Sequence, residues 1–163
     1  MPSPRFLLPL VIGVAAVAFL IYGVLFVQKG AHVELKGSIL KVRTHELDQA
    51  SSVAVADFRF VNPSDYPFIV RKVDVKIEDK DGKEIEGAAV AEADAKRLFE
   101  AYPLLGQKFN TTLLLRDRIN ARQSEDRMIA ARFEIPVAEL NARKQLTVRI
   151  EDVDGPVSEL REK

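Results

Sequence analysis

From Phe6 to Val27 the chain carries no charged residue. These 22 residues, Phe6-Leu-Leu-Pro-Leu-Val-Ile-Gly-Val-Ala-Ala-Val-Ala-Phe-Leu-Ile-Tyr-Gly-Val-Leu-Phe-Val27, would span about 33 Å as a helix, enough for a hydrocarbon core of about 30 Å. A helix buried in a globular core usually keeps a polar stripe, and this run has none. Pro9 falls in the first turn, where its missing N–H costs little. Gly13 and Gly23 are not at the spacing of a helix-dimer motif. A cleaved signal peptide should have a shorter apolar stretch and a small-x-small site after it. Gln28-Lys-Gly-Ala31 follows instead. The run is therefore expected to be an uncleaved, single-pass transmembrane helix of the signal-anchor kind.

Orientation rests on opposed signals. Arg5 and the α-amino group lie before the run, and Lys29, Lys36, Lys41 and Arg43 lie after it. A literal count places the following domain inside. The five-residue tail and the length of the following domain favour export, and the expectation is an extracytoplasmic domain, periplasmic in a bacterium. The organisation expected is a tail at 1–5, the helix at 6–27, a tether at 28–32, one β-sandwich domain at 33–155 and a C-terminal tail at 156–163. So short a tether would hold the domain near the bilayer.

Composition narrows function mainly by removal. The chain has no cysteine, which excludes disulfides, thiolate metal sites and a thiol nucleophile. Lys plus Arg equal Asp plus Glu at 24 each, so the basic excess of a nucleic-acid binder is missing. Tryptophan is absent, which weakens the case for carbohydrate stacking.

Beyond Lys29 the pattern becomes short alternating segments, the sign of half-buried strands. Strands are expected at Val33–Thr44 with a bend or bulge at Gly37, at Ser52–Val61, and at Tyr66–Glu78. Ala54, Ala56, Phe58 and Phe60 share one face of the second. Ile69, Val73, Val75 and Ile77 broadly share parity in the third. Lys80-Asp-Gly-Lys83 predicts a type I′ hairpin turn, and Lys83–Val90 the return strand. Thr111–Ile119, Arg127–Ile135 and Gln145–Glu151 read as later strands. Asp94–Tyr102, with Ala95, Leu98, Phe99 and Tyr102 at helical spacing, reads as a short helix capped by Asp94 and stopped by Pro103. Pro136–Arg143 reads as one more helical turn. About seven strands with few helices predict an antiparallel sandwich.

The segment Phe58-Arg-Phe-Val-Asn-Pro-Ser-Asp-Tyr-Pro-Phe-Ile-Val70 resembles the late-embryogenesis-abundant type 2 family, also called the water-stress and hypersensitive-response (WHy) domain. The family's Asn-Pro corresponds to Asn62 and Pro63. The following hairpin, ending in Lys83-Glu-Ile-Glu-Gly87, is similar too. The resemblance covers residues 33 to 90, and the helix near Leu98 departs from it. It implies an immunoglobulin- or fibronectin III-like sandwich in a stress-tolerance role, often exported or membrane-anchored in bacteria, with no enzyme activity. Physically, Asn62 can hydrogen-bond nearby backbone while Pro63 ends strand pairing.

No residue set here makes a catalytic or cofactor site. His32 and His45 are the only histidines and read as loop residues. Glu78-Asp-Lys-Asp81 and Glu151-Asp-Val-Asp-Gly155 are acidic turns without the ligand spacing of a calcium loop. Arg116-Asp-Arg-Ile-Asn-Ala-Arg122 reads as a charged strand edge, and Asn110-Thr-Thr is a glycosylation sequon only in a eukaryotic secretory pathway. No Ser–His–Asp arrangement or Gly-rich phosphate loop is present. The expected cofactors, metals and small-molecule substrates are none. The expected partners are the membrane and, in the alternative reading, a second protein, with no nucleic acid. The candidate partner surface is Leu98, Phe99, Tyr102, Leu104 and Leu105, which would serve an accessory subunit docking on a larger envelope complex. That is the alternative to a non-enzymatic protective or binding role.

Overall fold

The computed structural model describes residues 13–23 and 34–162. The chain divides into two compact units, Met1–His32 and Val33–Lys163. In the first unit, residues 13–23 are helical and exposed. Among the described residues no helix is long and apolar enough to cross a membrane. The remainder of the expected 6–27 span, the tail 1–5 and the tether 28–32 lie outside the described residues.

The second unit is built from nine strands: β1 (Lys36–Asp48), β2 (Ser51–Val61), β3 (Phe68–Glu78), β4 (Glu84–Ala89), β5 (Thr111–Thr112), β6 (Arg118–Ile119), β7 (Ser124–Phe133), β8 (Gln145–Asp152) and β9 (Val157–Arg161). Helix α1 (Glu92–Ala101), a 3-10 turn (Pro103–Leu105) and helix α2 (Val137–Asn141) complete it. The strands form one curled sheet in the order β1-β2-β7-β4-β3-β8-β9, antiparallel throughout this path, while short β5 runs parallel to β7.

The curl folds the sheet into two layers because β4 changes partner partway along. Glu84–Gly87 pair with β3, then Ala88 and Ala89 pair with β7. Gly87 sits at the change, where a Cβ would lie 2.6 Å from the Phe133 ring. Only glycine lets the strand pass beneath that ring. Between the layers, Ala54, Ala56, Phe58, Phe60, Ile129 and Phe133 meet Val73, Val75, Ile77, Leu146, Val148 and Leu160. Burying the Val, Leu, Ile and Phe side chains among them contributes about 1.5–3 kcal/mol each.

Several expectations are corrected in detail. The irregularities in β1 fall at Leu40, between Ile39 and Lys41, and at Leu47, between Glu46 and Asp48, rather than at Gly37. A register shift between Val70 and Lys72 makes Arg71 the extra residue of β3. It changes which parity faces the core, so Phe68 and Val70 are buried where Ile69 was expected. The Asp-Gly hairpin is not a two-residue type I′ turn. Glu78 pairs with Glu84, and only Gly82 (φ 86°) has a positive φ. Asp79 Oδ1 accepts the N–H groups of Asp81 (2.8 Å) and Lys83 (2.9 Å), which favours the longer loop. Thr111–Ile119 is not one strand but β5 and β6 separated by a turn. Helix α1 begins two residues before Asp94, with Ala91 at its N-cap and no side-chain cap. The segment 156–163, expected as a tail, carries β9, which pairs with β8 over five residues.

Candidate functional site

Two places gather the residues that the sequence singled out: a strap over one sheet face, and a corner at one end of the sandwich.

The strap is α1 with the following 3-10 turn. Strand β2 is apolar on both faces, so its outward residues Val53 and Val55 need cover as much as its inward ones. With Met128 and Ala130 of β7 they form a second cluster, onto which Leu105, Leu98, Phe99 and Tyr102 pack. Leu105 is 1% exposed, and Leu98, Phe99 and Tyr102 are half-buried. Of the five residues proposed as a partner surface, only Leu104 stands out, at 88% exposed. Most of that surface is therefore spent inside the fold.

Arg43 of β1 fastens the strap, a role that no motif around it announces. Its guanidinium donates to Leu105 O (2.7 Å), Gln107 O (2.8 Å) and Asp57 Oδ2 (2.7 Å). It also lies 5.0 Å from the Phe99 ring centroid and 5.8 Å from that of Phe109, within cation–π range. Asn110, the sequon residue, donates to the other oxygen of Asp57 (2.9 Å). His45 packs its ring against Tyr102, 4.6 Å between centroids. Lys108 pairs with Glu92 and holds its carboxyl below the usual carboxylate range. These contacts build a lock in which most polar groups face one another, while Arg43 Nε and Glu92 Oε2 are buried without a hydrogen-bond partner among the described residues.

The corner is Asn62-Pro63. β2 ends at Val61, and Asn62 is fully buried. Its Nδ2 donates to Tyr66 O (2.8 Å), Asn120 O (3.2 Å) and Ile119 O (3.3 Å). Its Oδ1 accepts the Ser64 N–H (3.0 Å) and hydroxyl (2.8 Å). The side chain thus ties its own loop to one almost sixty residues later. The alternating pattern could announce the local turn but not the distant carbonyls.

The remaining candidates resolve into structural roles. Asp152 Oδ1 accepts from Ile69 N–H (3.4 Å) and Asp154 N–H (3.3 Å) and is 1% exposed. Among the described residues, no group of three or more His, Asp or Glu side chains is placed to hold a metal. His32 lies outside the described residues. Arg116–Arg122 forms two turns flanking β6 rather than one strand edge. The outer face of β3, β8 and β9 is a broad depression of about 770 Å³ bordered by Lys76, Glu84, Arg149, Glu159 and Arg161. Its charges pair locally, Lys76 with Glu84 (3.2 Å) and Arg161 with Glu159 (2.7 Å).

Comparison with protein-family profiles gives no match, and comparison with curated protein sequences gives none either. Among solved structures, the chain is similar to an uncharacterised β-sandwich protein from Clostridium difficile 630, at 9% identity and a TM-score of 0.41, over 80% of this chain and 86% of that one. It is also similar to the Iho670 flagellar-like filament, at 12% identity and a TM-score of 0.35, over 97% of this chain and 96% of that one. Both likenesses are too distant to carry a functional argument.

Proposed function

We propose that this protein is a non-enzymatic β-sandwich tethered to a membrane by Phe6–Val27, of the late-embryogenesis-abundant type 2 (WHy) kind, protecting or binding at the cell envelope. The observation that carries the reading is the sequence of parts: a 22-residue uncharged run directly ahead of one compact sandwich unit. The Asn62-Pro63 corner supports the family assignment, since it ends β2 and locks the loop into β3. Strand order supports an immunoglobulin- or fibronectin III-like class. β1, β2 and β7 lie opposite β3, β8 and β9, as strands A, B and E lie opposite C, F and G in such sandwiches. The domain is extracytoplasmic in this reading.

The test uses the full chain in its membrane. A reporter fused after Lys163 should be active only outside the cytoplasm, and vesicles carrying the protein should leak less on drying and rehydration than vesicles without it. Cytoplasmic reporter activity would overturn the placement, and equal leakage would overturn the protective role.

The accessory-subunit reading keeps one specific support. Leu104 and Phe109 are 88% and 68% exposed on the outside of the strap. Crosslinking from position 104 in native membranes should trap a protein partner if this reading holds, and should trap none if the strap only covers the sheet.

A further inference from the structure

The described part of the sandwich unit starts at one end of the two layers. Leu35 N–H donates to Ser158 Oγ at the start of β9 (2.8 Å), and Lys36 pairs with Val61 at the end of β2. Three tight turns share this end. Asp117 N–H closes on Leu114 O (3.2 Å), Gln123 N–H on Asn120 O (3.3 Å), and Gly155 N–H on Asp152 O (3.1 Å). The start of β3 joins two of them, because Arg116 N–H donates to Val70 O (2.7 Å) and Val153 N–H to Ile69 O (3.0 Å). Asn62 holds the third through Asn120 O.

The second residue of each turn is apolar: Leu115, Ala121 and Val153. Turn tips ordinarily carry Gly, Pro, Asn, Asp or Ser, for backbone reasons that these residues do not serve. Leu115 is 64% exposed, Val153 45% and Leu114 41%, and Tyr66 on the adjoining loop is 53% exposed. In two of the turns the third residue is an arginine in the left-handed region, Arg116 at φ 68° and Arg122 at φ 61°. That conformation costs a non-glycine residue about 1–2 kcal/mol. Arg116 and Arg118 are exposed, and neither has an ion-pair partner among the described residues.

We propose that this end is a lipid-contacting surface, with Leu115, Val153 and Tyr66 entering the interface of the bilayer and Arg116 at headgroup level. The inference rests on the membrane-tethered reading. The occupant follows from chain length. Val27 and Glu34 are separated by six residues, a reach of at most about 25 Å when fully extended. An eleven-residue strand such as β2 or β3 is itself about 36 Å long. In the membrane-tethered reading, a bilayer that ends at Val27 is therefore within reach of the end where Glu34 begins, and that end is the one proposed to contact it. Apolar tips flanked by arginine suit that boundary, because the arginine stem lies along apolar surface while its head stays with phosphate and water.

The absence of native cysteine permits a direct test. Full-length chain carrying Leu115→Cys, Val153→Cys or, at the opposite end, Lys80→Cys is labelled with an environment-sensitive dye. It is then reconstituted in phosphatidylcholine vesicles containing phosphatidylglycerol. Labels at 115 and 153 should emit at shorter wavelength and lose intensity to doxyl-labelled lipid, while the label at 80 should do neither. Vesicle flotation is run alongside. A chain that fails to float overturns the tether and this surface with it. A chain that floats while 115 and 153 behave like 80 overturns the lipid surface alone. Excimer emission from pyrene at 115 without lipid quenching would assign the end to a second copy of the chain, which also overturns it.

Discussion

The two ends of the sandwich are closed by the same device and finished in opposite chemistry. At the end where the described unit begins, buried Asn62 accepts its own loop's N–H. At the other end Asp79 does the same for the β3–β4 hairpin. Asn62 also reaches Ile119 O and Asn120 O, whereas the hydrogen bonds of the Asp79 carboxylate stay within four residues. The first end is cross-braced and tipped with Leu115, Val153 and Tyr66. The second is locally braced and tipped with Lys80 and Asp81. Cross-bracing matters where exposed apolar tips must hold their positions without help from their own turn chemistry.

The largest expected difference between the ends is in stability. Asn62→Ala would remove the acceptor of the Ser64 N–H and the side-chain donor to Ile119 O, while Tyr66 O keeps the Ser64 hydroxyl and Asn120 O keeps the Gln123 N–H, and should cost about 2 kcal/mol in urea unfolding. Asp79→Ala should cost clearly less, since only its own hairpin loosens. Equal losses would remove the distinction between cross-braced and local ends.

Acid should separate the ends next. Asp79 is held below the ordinary aspartate value by the Lys83 N–H, and Asp48, on the neighbouring β1–β2 turn, by the Ser51 hydroxyl. Lowered folded values contribute stability that is present above the unfolded pKa of about 3.8 and lost as pH falls through the folded values. Asn62 does not titrate. Amide exchange at Lys83 and Ala50, corrected for intrinsic rates, should therefore speed up in acid before exchange at Ser64 does. Simultaneous loosening would contradict the assignment.

The smallest effect is expected at the tips. Leu115→Ser and Val153→Ser should change unfolding free energy by less than about 0.5 kcal/mol, because neither residue belongs to the buried clusters. A larger loss would make them structural.

Much of the strand framework was legible because β8 alternates cleanly over its eight residues and β2 and β3 are long runs rich in Val, Ile and Phe. The failures have separate physical causes. Thr111–Ile119 carries β-branched and apolar residues like a strand, but Arg116 takes a positive φ without the Gly or Asn that announces one. β9 is short and follows a Gly-Pro turn, so its two buried residues, Ser158 and Leu160, were too few to show a period. The strap had a visible signal that one-face reasoning passed over. In Ser51–Phe58 both parities are buried, which requires cover on both sides of β2. Asn62 was legible as a turn residue only, since its partners at 119 and 120 are set by tertiary structure.

A lipid-facing role for the Leu115–Val153 end depends on the apolar run holding the chain in a bilayer. The decisive measurement is alkaline carbonate extraction of membranes from cells expressing the full chain, beside a variant lacking residues 6–27. The full chain should stay in the membrane pellet and the shortened one should appear in the supernatant. Release of the full chain would contradict the tether, and with it the meaning given to the two ends.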